Sequence, residues 1–558
     1  MAHGSRSGGR RAWSHSARAR FDRGGGVNMT RNFPLTALLI ALAAALVARL
    51  LILASGSVSF HSDEAVVGLM ARHILTGARP VFFYGQAYMG SLDAWLIALG
   101  FGLLGESVLT IRLVQSALYL GVVAVTFIIV WRLTSHVTAA FTAGLVMAIP
   151  PIMTTLYTTA TLGGYNETLL LGGGIILTGI TLARGGGGLR HWLLIGVCAG
   201  LGWWTNALIV IYALPVVLLV ILRAAQRRLD RRATAVGFGL AGLGFMIGAG
   251  PWIAFNLEND FAGLAFLLGS TEGTPFAGIG ASSLSLIERV IGFAAFGLPT
   301  LIGARAPWSP EILLPPAALV IAAIWLLALI TLARTRLLDA TGKFLFWGML
   351  ISFTLIFLVS RFSADPTGRY FLPLTLPFSA ALGVLAAAVR RRWLAAALAG
   401  AVLMYQGITV AISAAQPPGL TTQFNLNEHL PNSDDDALID FLESSDLTRG
   451  YTTYWISFRT AFLSGENIQL SAALPPKPDR VWTPFYERYL PYRAAADAAE
   501  RVAYVTAGVP EIEADLIAWF EASGVRFERT EIGIYHIFHD FTPAEDTPRP
   551  PVPFASGG

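Results

Sequence analysis

The chain has 558 residues, 54% of them hydrophobic and only 13% charged. A soluble domain carries about 25% charged residues, which excludes a soluble globular protein and indicates an integral membrane protein. A net charge of +4 spread over this length does not point to nucleic acid, and one cysteine, Cys198 in an apolar run, excludes a disulfide framework.

Residues 1–33 are rich in Arg, Gly and Ser without apolar periodicity, and read as a disordered basic arm, with Met29 as an alternative start. The segment "FPLTALLIALAAALVARLLILAS" (33–55) is long enough to cross about 30 Å of hydrocarbon. Its apolar part is too long for the core of a signal peptide, the rival reading. Further spans are expected near 112–131, 137–153, 166–183, 192–206, 207–222, 233–255, 312–333, 343–360, 370–389 and 393–413, which makes about eleven.

Basic residues crowd on one side of these spans: the N-terminal arm, Arg223, Arg227, Arg228, Arg231 and Arg232 in one short loop, and Arg390, Arg391 and Arg392 in another. Lys and Arg near helix ends favour the cytoplasm. The N-terminus is therefore expected inside, and the 55–111 loop, the 256–311 loop and all residues after 413 outside a plasma (inner) membrane. The fold class is an α-helical polytopic membrane protein with surface helices in its first outer loop, plus a C-terminal extracytoplasmic α/β domain. The domains run 1–33, 34–413, 414–540 and 541–558, the last a Pro-rich disordered tail.

In the first outer loop, "HSDEAVVGLMARHILTG" predicts a short helix from Ser62 to about Thr76, with Ser62 as N-cap, Gly77 as stop and Val66, Leu69, Met70 and Ile74 as its apolar face. "SLDAWLIALGFGLLG" (91–105) is too short to span, and the aromatic strip "PVFFYGQAYMG" (80–90) joins the two. Acids in a first turn stabilise a helix by a few tenths to about 1 kcal/mol, which is the plain reading of Asp63 and Glu64. Successive helical residues point about 100° apart, so the two acids address different atoms. At most one is a reacting group, and the other holds the helix or a ligand.

In the outer domain, "DDDALIDFLESS" (434–445) and "EIEADLIAWFEASG" (511–524) read as helices, and "RVAYVT" (501–506) and "IGIYHIF" (532–538) as strands. "YTTYWISFRTAFLSGENI" (451–468), with Arg459 among Tyr and Trp, suits either a sugar-stacking surface or a core helix after a strand. No Walker A loop, G-x-S-x-G elbow or H-E-x-x-H spacing is present, and His61 and His73 read as interfacial packing.

A basic N-terminus, one span, an outer "SDE" opening a surface helix and the strip "YGQAYMGSLDAWL" together resemble the GT-C superfamily of integral membrane glycosyltransferases, in its protein O-mannosyltransferase and aminoarabinose transferase branch. The resemblance covers residues 33–413 and leaves the outer domain aside. It implies transfer of a sugar from a polyprenyl-phosphate carrier to a lipid, glycan or protein acceptor at the outer membrane face, with Asp63 as catalytic residue. "SADPTGRYFLPLTLPF" (363–378) is similar to the region that contacts the lipid phosphate there, which singles out Arg369 and Tyr370; an interfacial anchor is the plain alternative. Arg72, Arg361 and Arg49 are further candidate cations; Arg49, in the outer half of the first span, is expected to snorkel, the alternative being that it points inward to the same phosphate.

A phosphate leaves as a stable anion, so one base and nearby positive charge suffice, without the second carboxyl a glycosidase requires. Single displacement predicts inversion. Glu64, Tyr84, Gln86, Tyr88, Tyr165, Asn166, Glu167 and Asn206 are candidate supporting or substrate-binding residues. Trp203 and Trp204 beside Asn206 suit an interfacial cluster, and Asn256, Glu258 and Asp260 complete a pocket or ligate a cation. The resemblance spans metal-dependent oligosaccharyltransferases and metal-independent mannosyltransferases; without a second adjacent acid pair, no obligatory metal is expected, a divalent ion remaining the alternative. A secondary transporter or lipid flippase is the competing class, but it would place ionisable groups mid-membrane in broken helices. Here the acids gather in outer loops.

Overall fold

A computed structural model of the chain describes residues 32–268, 284–424 and 429–550. The expected basic arm at 1–31 and the last part of the tail, 551–558, lie outside the described residues. Among the described residues, eight helices are long and apolar enough to cross a membrane, and a ninth span results if Arg231–Gly248 and Gly250–Glu258, bent by 68° at their break, count as one. The two other expected spans are helices of lesser length. Val137–Ala148 stops at 12 residues because Pro150 and Pro151 supply no N–H and fix φ, and the chain resumes as Ile152–Tyr157. Leu189–Thr205 has 17 residues, about 26 Å at 1.5 Å per residue.

The first span, α1 (Leu35–Ser55), buries Leu38, Ala41, Ala45 and Arg49 on one stripe and leaves Leu39, Leu46, Leu50 and Leu51 outward. Small residues on the stripe let neighbours approach: an added Cβ on Gly144 would lie 3.2 Å from Ala41. The same device is stronger between Leu189–Thr205 and Arg231–Gly248. There Gly196 and Gly200 sit against the carbonyls of Ala241 and Phe245, where a Cβ would come within 2.0 and 2.2 Å. Within lipid, close backbone packing of this kind replaces the hydrophobic drive between helices.

After α1 the chain forms α2 (Ser62–Leu75), strands β1 (Phe82–Phe83) and β2 (Gln86–Gly90), and α3 (Leu92–Leu104). The aromatic strip is thus a small antiparallel hairpin. The outer domain is an α/β module whose five strands are β3 (Arg449–Thr453), β4 (Gln469–Leu474), β5 (Ala503–Ala507), β6 (Arg526–Ile532) and β7 (Tyr535–Thr542). Their order is β4-β3-β5-β7-β6, with β4, β3 and β5 parallel and β7 and β6 antiparallel. The helices expected at 434–445 and 511–524 form as Asp435–Ser444 and Pro510–Ala522. The strand expected at 532–538 is instead divided by a turn at Gly533 (φ +54°) between β6 and β7, since only a glycine adopts such a φ cheaply.

Residues 541–550 are not the disordered segment expected from their prolines. Thr542 ends β7, Arg549 donates to the carbonyls of Ala496 and Ala499, and Arg493 donates to that of Pro550 at 2.5 Å. Proline removes donors but not acceptors, and here two arginines supply the donors.

The outer domain docks on α2. Val66, Leu69, Met70 and Phe60 share one apolar core with Tyr454, Phe458 and Phe462 from the Tyr454–Leu463 helix. Gly68 lies under the Phe462 ring, which a Cβ would meet at 2.5 Å. A Val58–Leu420 bridge and a two-way hydrogen bond between Phe60 and Asn432 complete the joint.

Candidate active site at the outer end of the first span

The first turn of α2 carries the acid pair. His61, not Ser62, is the N-cap: its Nδ1 accepts from the Asp63 N–H at 3.2 Å, and Ser62 Oγ donates instead to the Tyr454 carbonyl at 2.6 Å. Burial lowers the His61 pKa, so the ring is neutral. With Nδ1 accepting, Nε2 carries the proton and donates to Thr422 Oγ1 at 3.0 Å.

The two acids diverge as helix geometry requires. Glu64 is fully buried and receives two hydrogen bonds from Arg112, at 3.1 and 2.9 Å. Asp63 faces the other way, its side chain 28% exposed. Its Oδ1 accepts from Tyr454 Oη at 2.5 Å and from Arg488 Nη2 at 3.3 Å. Glu64 therefore holds α2 to the Val108–Thr134 span, and Asp63 faces open space.

Tyr454 and Arg488 were not candidates from sequence, because 391 and 425 positions separate them from Asp63. Both come from the ends of parallel strands, Tyr454 directly after β3 and Arg488 in the segment after β4. The carboxyl ends of parallel strands are where α/β sheets bind ligands, and here that edge faces the membrane domain. Arg488 is 7% exposed and lies over the rings of Phe83, Tyr454 and Phe485 at 4.9–5.0 Å. Its Nε and Nη1 have no hydrogen-bond partner among the described residues. Gly85 (φ +71°) makes room beside it, since a Cβ there would come within 3.2 Å of the Arg488 backbone. The available signal was the run "WTPFYERYLPY" (482–492), a lone arginine among aromatics. Arg459, which was noticed instead, is a core residue tied to Asp435 at 2.8 Å and to the Leu430 carbonyl.

On the membrane side, Arg369 pairs with Asp365 at 2.6 Å and lies 5.2 Å from the Tyr370 ring centroid. It is about one-third exposed, and its Nε has no hydrogen-bond partner among the described residues. Thr367 donates to Asp365 at 2.8 and 2.5 Å and shapes this turn, while buried Arg305 anchors it through the Pro366 carbonyl. Burial pushes Arg305 down to about 10. Tyr157, whose phenol burial pushes up to about 12, feels Arg369, Asp365 and Asp63 together, so the Arg369 turn and the Asp63 turn share one neighbourhood. Tyr165 stacks edge-on with Tyr157 at 5.6 Å, and Tyr88 is an electrostatic neighbour of Tyr370.

The remaining candidates are held elsewhere. Arg72, expected at the donor phosphate, is occupied by Glu106 and by Glu466 at 3.2 Å. Tyr84 hydrogen-bonds His73 at 2.9 Å and stacks on Tyr489. Gln86 is buried, its Oε1 without a hydrogen-bond partner among the described residues. Asn166 donates to Gln115 and to the Thr158 carbonyl, and Glu167, 3% exposed, meets Gln115 at 3.4 Å. With Asp93, which burial pushes up to about 6, they form a buried polar network between helices in which Asn166 Oδ1 and Glu167 Oε2 have no hydrogen-bond partner among the described residues. Asn206 caps a short helical turn, accepting from Leu208 N–H. Asn256 is spent on the Trp252 carbonyl and the Leu264 N–H, and Glu258 and Asp260 are exposed. Arg49 does not snorkel: it is 3% exposed and donates to Thr155, Thr158 and Thr159 while covering Tyr119. A threonine cluster satisfies its fork inside the bundle. The side chain of Arg361 lies outside the described residues.

The donors around Asp63 do not suit a divalent ion. Its partners are a guanidinium and a phenol, Glu64 is turned to Arg112, and both ring nitrogens of His61 are engaged. Among the described residues, Glu528, His539 and Asp540 are the group spaced for a metal. They lie on β6 and β7, and Asp540 is already paired with Arg501 at 2.7 Å.

Residues 91–254 match a family model described as dolichyl-phosphate-mannose-protein mannosyltransferase. No curated protein matches the chain in sequence. Among solved structures, ArnT from Cupriavidus metallidurans in its apo state is similar at a TM-score of 0.56 and 15% identity, over 90% of this chain and 98% of that one. The same protein bound to undecaprenyl phosphate gives 0.54 and 13%, over 92% and 99%. An oligosaccharyltransferase from Archaeoglobus fulgidus gives 0.50 and 13%, over 84% and 68%. The chain has the fold of these proteins, outer domain included, and the resemblance read over residues 33–413 is borne out at the level of fold.

Proposed function

We propose that this protein transfers a glycosyl group from a polyprenyl-phosphate donor to an acceptor hydroxyl at the outer face of the membrane. The observation that carries this reading is the division of labour in one helical turn: Glu64 is buried and paired, Asp63 is open and only partly paired. The family model and the similar proteins, one of them bound to undecaprenyl phosphate, support the donor class.

Tyr454 and Arg488 both address Oδ1 of Asp63, which leaves Oδ2 directed at the acceptor. Asp63 takes the hydroxyl proton as the acceptor oxygen bonds to the anomeric carbon. The bond from that carbon to the phosphate oxygen breaks, and its electron pair leaves with polyprenyl phosphate. The phosphate gains a negative charge in this step. Arg369, with Nε free, stabilises that growing charge, the kind of interaction worth about 10²–10³ in rate. Acceptor and leaving group lie on opposite faces of the sugar, so the product is inverted.

Purified protein incubated with a polyprenyl-phosphate sugar and a hydroxyl acceptor tests this by NMR of the product anomer. Inversion is expected, and a retained anomer removes Asp63 as a simple base. Turnover should persist in excess chelator. Arg369→Gln should lower kcat about 10²–10³-fold with little change in fold, and an unchanged kcat would move the phosphate elsewhere.

A further inference from the structure

Arg488 has more hydrogen-bonding capacity than its surroundings use. It is a buried cation on three aromatic faces, with one contact to Asp63 at a long 3.3 Å and with Nε and Nη1 unpartnered. Buried charges are normally paired; Arg72, one-sixth exposed on the same helix–domain joint, faces two carboxylates and a carbonyl and leaves one nitrogen without a hydrogen bond among the described residues, whereas Arg488 faces one carboxylate and leaves two. A planar fork with free donors is the geometry that takes a compact oxyanion.

Its position says which substrate brings that oxyanion. In a displacement with inversion the base sits on the acceptor side, and the leaving phosphate lies across the sugar. Arg488 touches the base itself, whereas Arg369 belongs to the opposite, membrane-side turn. Resting on the glycosyl-transfer reading, we propose that Arg488 forms an anion subsite on the acceptor side of Asp63. The acceptor then carries a phosphate or carboxylate beside its reacting hydroxyl, and filling the subsite draws Arg488 off Asp63. The outer domain thereby determines acceptor class. A carboxylate that loses its cation becomes a better base, so the correct acceptor raises the basicity that its own hydroxyl requires.

Glycerol 2-phosphate, a compact phosphomonoester with free hydroxyls, serves as probe for the full-length protein in nanodiscs, with binding read by calorimetry. Glycerol is the neutral control and undecaprenyl phosphate the donor-side competitor. Wild type is expected to bind the phosphomonoester and not glycerol, with undecaprenyl phosphate failing to displace it. Arg488→Gln should weaken binding at least tenfold, and Arg488→Lys, which keeps charge but not the fork, by less. Asp63→Asn, which removes the competing carboxylate, should tighten it at least threefold. Equal binding by Arg488→Gln overturns the proposal, as does displacement by undecaprenyl phosphate. Should Arg488→Gln fail to fold, unchanged or weakened binding by Asp63→Asn overturns it alone. Binding is read without turnover: a chain that takes the probe at Arg488 yet transfers no sugar defeats the glycosyltransferase reading and leaves the subsite, and transfer without probe binding does the reverse.

Discussion

The two ends of α2 meet the same outer domain in opposite ways. At the last turn, Arg72 bridges Glu106 and Glu466, and Glu466 also meets His73 at 2.9 Å and Tyr492 at 2.6 Å. Every charge there has a countercharge. At the first turn, Asp63 shares one oxygen between a phenol and a guanidinium, and that guanidinium has two nitrogens to spare. The end rich in carboxylates joins the domains, and the end with one shared carboxylate oxygen is left to meet substrates. The number of countercharges, two carboxylates at Arg72 against one at Arg488, separates the two.

The sharpest way to break this contrast is Asp63→Asn. It keeps shape and removes the base, so turnover should fall at least about 10³-fold, of the order seen for loss of acid–base catalysis, while the melting temperature holds. A variant that keeps its activity would place the chemistry elsewhere. Glu64→Gln should do the converse. Removing one partner of a buried pair costs about 3–5 kcal/mol, so denaturation should shift markedly, and any folded fraction should retain kcat. A specific activity lost without a stability change would merge the roles of the two acids.

The smallest effect belongs to the far end of the helix. Burial alone would raise the Glu466 pKa, but hydrogen bonds from His73, Tyr492 and Arg72 outweigh it and hold it at about 2, below the ordinary 4.5. A depressed carboxylate contributes stability above its unfolded pKa and loses it as the pH falls through the folded one. Docking should thus weaken between about pH 4.5 and 2. Glu466→Gln should flatten that dependence and cost about 1–2 kcal/mol, discounted for partial exposure. Protease sensitivity of the segment linking the two domains, residues 414–424, would record it against pH, and an identical profile in the variant would remove Glu466 from the joint.

Much of this was open to a reader of the sequence alone. Twenty-residue apolar runs must satisfy their backbone internally in lipid, so they are helices wherever they occur, and each expected span has its helix. Local geometry was equally legible: neighbouring acids on a helix diverge, while the Arg112 partner that makes Glu64 the structural one came only with the fold. Where length rules gave out, local chemistry explains it. Two prolines shortened one span, a single glycine split one expected strand, and two arginines ordered a proline-rich tail. The cations show the limit best. Arg72, Arg49 and Arg369 look alike as letters, yet Arg72 faces two carboxylates, Arg49 a cluster of threonine oxygens, and Arg369 a single carboxylate.

Sequence by itself determined the membrane class, the expected orientation and the place of Asp63 in a helix just after the first span, because these depend on hydrophobic length, charge placement and helical period. Tertiary structure alone decided what Asp63 faces. Tyr454 and Arg488 reach it through the crossover of β3 and β4 and the apolar joint between α2 and the Tyr454–Leu463 helix. No local pattern encodes a contact 425 residues away, since its energy lies in packing that exists only once both domains have folded and met.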